Sequence, residues 1–160
     1  APQIGAMITL LITTLMPLIM RNVTFTIWDR ISFALVGVLS VGIFMSGNGG
    51  VNLIVDLGYL AFGLMWLVSC ITKDPLCAAY VKYSYGGDIA YNNPLFMKTN
   101  YILAVCWGAM YVLTAIWSWL AVQNGVGSIL VVVNNLVPIC MGIFTAWFQR
   151  WYPARMASGK

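Results

Sequence analysis

Five apolar stretches, residues 4–20, 31–46, 51–72, 99–122 and 129–148, occupy most of this 160-residue chain, and Asp56 is the one charged side chain well inside any of them. An α-helix needs about 20 predominantly apolar residues to cross a bilayer, within a range of about 17–25. The third, fourth and fifth stretches meet that length directly. The first sits at the lower limit, and the second must borrow residues from the segment before it. A water-soluble domain devotes about a quarter of its residues to charge, whereas here 8% are charged, 61% are hydrophobic and the mean hydropathy is +0.88. The expected fold is therefore an all-α integral membrane protein. It is a bundle of about five transmembrane helices forming one domain over residues 1–160.

The basic side chains orient these spans. Arg21 and Arg30 separate the first two stretches, Lys73, Lys82 and Lys98 the third and fourth, and Arg150, Arg155 and Lys160 follow the fifth. The turn at residues 47–50, the turn at 123–128 and the amino-terminal end carry none. Basic residues close to span ends are retained on the cytosolic side. Five spans put all three basic segments on one face, with the amino terminus outside and the carboxyl terminus in the cytosol. Trp28, Trp147 and Trp151 are expected at the cytosolic interface and Trp117 and Trp119 at the outer one. No early segment combines a basic leader, an apolar core and a small-residue cleavage site, so no signal peptide is expected.

The residue inventory removes several functions. The eight basic residues form no stripe of the kind that tracks a nucleic acid backbone. There is no histidine, so histidine-ligated haem and Ser-His or Cys-His catalysis are excluded within this chain. Cys70, Cys77, Cys106 and Cys140 show no CxxC spacing and read as small apolar residues. No cofactor and no metal site are predicted. The partners expected are the lipid bilayer and either other membrane subunits or copies of the chain itself.

Within a bilayer, helices meet through small and polar residues rather than through leucine. Such stripes run along the third stretch (Asn52, Asp56, Tyr59, Gly63, Trp66, Cys70) and the fourth (Asn100, Ala104, Trp107, Tyr111, Thr114, Ser118). Others follow the fifth (Asn135, Pro138, Gly142, Thr145, Gln149) and the first (Gly5, Thr9, Thr13). Leu53, Leu57, Leu60, Leu64 and Leu67 are assigned to lipid. An acidic group inside a span is a functional hypothesis by default. Pro138 also withholds an amide hydrogen from the carbonyl of Asn134, four residues back. Asp56, Asn52, Asn134 and Asn135 share one depth, and they form the candidate ligand site. The loop at residues 73–98, with Tyr80, Lys82, Tyr83, Tyr85 and Tyr91, is the candidate docking surface. Short pieces of it are expected to lie along the membrane surface, broken at Gly86 and Gly87.

Three segments carry a resemblance: DPLCAAY at residues 74–80, NPLFMKTNYILAVCWG at 93–108 and FQRWYP at 148–153. They resemble a family of small uncharacterised bacterial inner-membrane proteins, through Pro75, Tyr80, Pro94, Phe96, Asn100, Trp107, Gly108 and Pro153. Leu76 and Cys77 stand where that pattern has Phe-Thr, and no acidic pair follows Tyr80. The resemblance covers the second half of the chain and implies a bacterial cytoplasmic membrane location, with no activity to transfer. Three functions then stand in order. The first is a subunit or accessory of a larger membrane assembly. The second is a homo-oligomeric transporter or channel for a small solute or ion. The third is an enzyme acting on a lipid or quinone at the loop, for which no carboxylate pair or activated nucleophile is evident.

Overall fold

The computed structural model describes residues 2–19 and 24–159, so Arg21 and Lys160 of the orientation pattern lie outside the described residues. Among the described residues, five helices are long and apolar enough to cross a membrane: Pro2–Ile19, Ile27–Ser46, Gly49–Ser69, Pro94–Gln123 and Val132–Ala157. This is a multi-pass, all-helical membrane protein.

Helix α1 spans Pro2–Ile19. Helix α2 starts at Ile27, earlier than the apolar stretch, because Thr26 and Asp29 close a capping box. The Thr26 hydroxyl accepts from the Asp29 amide at 3.2 Å, and the Asp29 carboxylate accepts from the Thr26 amide at 2.7 Å. Together these bonds satisfy amides that a helix start leaves open. Helical backbone then runs from Ile27 to Ser69, yet the chain reverses within it. The Ser32 hydroxyl donates to the Met65 sulfur at 3.6 Å. A Cβ placed on Gly42 would lie 3.5 Å from the Ile54 side chain, and one on Gly58 3.1 Å from Leu39. Residues 32 and 65 of a straight helix would be about 50 Å apart. These pairs bracket residues 47–50 symmetrically, so α2 is two antiparallel limbs, Ile27–Ser46 and Gly49–Ser69. Gly50 permits the reversal, since a Cβ there would fall 2.8 Å from that of Ser46. In a regular helix, side chains four apart keep their Cβ atoms about 5–6 Å from one another.

Helix α4 (Pro94–Gln123) carries Asn93 as its cap, whose side-chain oxygen accepts from the Leu95 and Phe96 amides at 2.9 and 3.3 Å. Helix α5 runs from Gly127 to Ala157 through Pro138 and Pro153. The second limb of α2 crosses α4 where two glycines meet. A Cβ on Gly63 would sit 2.9 Å from the Val112 amide nitrogen, and one on Gly108 2.7 Å from Leu67. Beside this crossing, Trp66 stacks on Trp107 at 5.6 Å and Tyr59 on Tyr111 at 6.3 Å. The stripes of the third and fourth stretches therefore face each other.

Three face assignments need correction. Leu67 turns toward Gly108 rather than lipid, because the glycine pair leaves room for it. On α1 the covered positions are Gln3, Ala6, Leu10, Thr13 and Pro17, while Gly5 and Thr9 are exposed. That alternation of three and four aims the same helix one residue differently from the expected stripe. On α5, Gly142 is exposed with nothing near it, and Phe148 is buried instead.

The loop is more structured than a surface strap. Helix α3 (Leu76–Val81) is followed by 3-10 turns at Lys82–Tyr85 and Gly87–Asn92, with the break made by left-handed Gly86 and Gly87 at φ 91° and 76°. Pro75 through Ala79 are buried. Leu76 and Ala79 pack with Trp28, and Cys77 with Leu103, Ala104 and Phe148. Trp28 is 6% exposed and donates its indole N–H to the Asp74 carbonyl at 2.9 Å. It is thus an internal tie rather than the expected headgroup anchor. The buried Ser69 hydroxyl joins the segments, donating to the Trp66 carbonyl at 2.6 Å and accepting from the Leu76 amide at 3.0 Å.

Candidate functional site

At the end of the molecule opposite the loop, a cavity of about 300 Å³ lies between the second limb of α2, α4 and α5. Asn52, Asp56, Asn134 and Asn135 all line it, together with Tyr59 and Ser118. The convergence follows from helix geometry. Asn52, Asp56 and Tyr59 succeed one another on one face at steps of four and three. Asn134 enters from α5, and its amide N–H donates to the Ser118 hydroxyl of α4 at 2.8 Å. The Asn134 side-chain oxygen is buried without a partner, and its main-chain carbonyl has no amide to meet at Pro138. Two acceptors on Asn134 are thus left open beside the Asp56 carboxylate.

Charge is distributed unevenly. Asp29 accepts from Thr26 and from the Tyr80 hydroxyl at 2.7 Å, Asp74 accepts from the Tyr91 hydroxyl, and Asp88 pairs with Lys82 at 2.8 Å. Among the described residues the carboxylate of Asp56 alone of the four aspartates has no hydrogen bond or ion pair. Ser118 was legible in the sequence as a stripe residue of the fourth stretch. Its place at the site was not, because that depends on where α5 crosses.

Tyr80 and Tyr91 spend their hydroxyls on Asp29 and Asp74. Lys82 is held by Asp88 and lies over the rings of Tyr83 and Tyr91 at 5.4 and 5.2 Å. Tyr80, Tyr83 and Tyr85 all keep their rings exposed. Burial, followed by the neighbouring thiols of Cys70 and Cys106, pushes the Cys77 thiol up to about 12. It stays protonated and unreactive near neutral pH. Burial and then the Asp74 hydrogen bond push Tyr91 up to about 12 as well.

No protein-family model matches the chain, and neither curated proteins nor solved structures include a match to it. The site must be read from its own chemistry.

Proposed function

We propose that this protein binds a small cation, inorganic or organic ammonium, in the Asp56 cavity and moves it across the membrane as a homo-oligomeric transporter or channel. The observation that supports this is Asp56 itself: an unpaired carboxylate beside a cavity whose other polar walls are amides and hydroxyls. A charged group within a span is costly and is retained where it lines a pathway or ligand site. The cavity gathers side chains from three helices but does not cross the chain, so a continuous path requires further copies. In this reading the loop and the carboxyl terminus face the cytosol of a bacterial cell, and the cavity opens on the other side.

The test is flux into proteoliposomes of sodium, potassium and methylammonium, with the wild type and Asp56→Asn side by side. The substitution keeps the shape and removes the charge. Flux of at least one probe should fall by tenfold or more while native mass and yield stay unchanged. Equal flux from both proteins would sink the proposal.

A second reading, an accessory subunit of a larger assembly, is favoured by one feature of α5. Gly142 is exposed and a Cβ there would meet nothing within 4 Å, and helices in lipid use glycine for close approach. Co-purification of other subunits at fixed stoichiometry would favour it.

A further inference from the structure

A second cavity, of about 100 Å³, opens at the other end of the molecule between the loop, the first turns of α4 and the last turns of α5. Asn100, Gln149, Asn93, Tyr85, Phe96 and Pro153 line it. Asn100 is 3% exposed, and its amide N–H donates to the Phe96 carbonyl of its own helix at 2.9 Å. That bond fixes which end of the amide is oxygen, and the oxygen is buried with no partner. Leaving a buried acceptor unmet is costly. Nearby, Pro153 has no amide hydrogen for the carbonyl of Gln149.

We infer that this cavity binds the hydroxyl of an uncharged lipid alcohol of the diacylglycerol type. The occupant must donate a hydrogen bond to Asn100. No charged side chain lines the cavity, so an ammonium or phosphate group would be buried there without a counter-charge, at high cost. A hydroxyl donates and accepts at once, and the amides of Gln149 and Asn93 supply the donors its oxygen needs. The remaining walls are the rings of Tyr85 and Phe96, 5.3 Å apart, with Val81, Leu95, Pro153 and Thr99, whose hydroxyl already donates to the Leu95 carbonyl, and they suit a largely apolar body. The depth agrees. Helix α4 has 30 residues, about 45 Å, close to the full bilayer thickness with its headgroups. Asn100 then lies about 9 Å from one end, near the boundary of headgroup and hydrocarbon where a lipid's glycerol hydroxyl resides.

Thermal unfolding of the wild type, followed by tryptophan fluorescence in an amine-oxide detergent that carries no hydroxyl, tests this. Three additives are compared: dioctanoylglycerol, its methyl ether at the free hydroxyl, and glycerol at equal concentration. Saturating dioctanoylglycerol should raise the midpoint by about 5 °C, while the ether and glycerol leave it unmoved. The shift should vanish in Asn100→Leu and shrink in Gln149→Met, and the ether comparison stands even if a variant fails to fold. A shift with glycerol as large as with the lipid would assign the cavity to a free polyol and overturn the lipid. No shift with any additive, or equal shifts with lipid and ether, would leave the cavity to ordered water and overturn the site altogether.

Discussion

Gly63 and Gly108 show how much depends on a missing atom. Each would place a Cβ within 3.0 Å of its neighbour helix, so a side chain at either must push α2 and α4 apart. Gly63→Leu should cost about 3 kcal/mol or more, since overpacking against backbone cannot relax through a rotamer. Leu64→Ala, one residue on, is 50% exposed in the wild type and should stay within about 0.5 kcal/mol. Denaturation in mixed micelles measures both, and equal losses would mean that the crossing is misplaced. The glycine was legible as a contact residue because lipid-facing positions gain nothing from small size. Leu67 was not, because a leucine at a helix contact looks the same in sequence as one facing lipid.

Among the elements, α3 is held by polar ties as well as packing. Tyr80 bonds Asp29 and Tyr91 bonds Asp74, joining the loop to the start of α2 and to itself. Both phenols are raised above their ordinary value of 10.0 by burial first and by those carboxylates second, Tyr91 to about 12. The native fold thus favours the neutral phenols. Their contribution is complete below pH 10 and is lost as pH climbs toward the folded values, about 12 for Tyr91. Hydrogen exchange of residues 76–92 should accelerate across that interval, and Tyr80→Phe with Tyr91→Phe should flatten the dependence while raising exchange at neutral pH. An unchanged pH profile in the double variant would remove these tyrosines from the account. The turn at 47–50 could be read directly, because its glycines interrupt an apolar pattern. The burial of α3 could not. Its covering residues, Trp28, Leu103 and Phe148, come from distant parts of the chain, and no local period marks them.

For the whole molecule, the expected orientation is tested by labelling. Gly49→Cys and Ser84→Cys, each in a background with the native cysteines changed to alanine, place one exposed thiol at either end. An impermeant maleimide should label the first from outside intact cells and the second only after permeabilisation. The reverse order would invert the protein and with it the proposed entry side of the Asp56 cavity. Charge placement made the span count readable because every basic cluster borders an apolar stretch and none falls inside one. The convergence of Asp56, Asn52, Asn134 and Asn135 was readable as a shared depth, since helices advance a fixed rise per residue. The cavity at Asn100 was not readable. It exists because the buried loop, α4 and α5 fail to fill one corner.

The order of packing bears on how the protein is made. Helix α1 packs on α2, α2 on α4, and α4 on α5. Neighbours in space are largely neighbours in synthesis, so each hairpin can settle before the next emerges from the insertion machinery. The Asp56 cavity is the exception. Its carboxylate reaches the membrane while half of the residues that surround it have yet to be translated. Until α5 arrives with Asn134 and Asn135, a nascent chain holds that group in the bilayer with an incomplete polar shell. Ribosome-bound intermediates in which the third span has entered the membrane and the fifth has not are therefore the stage at which this protein is most exposed to membrane quality control.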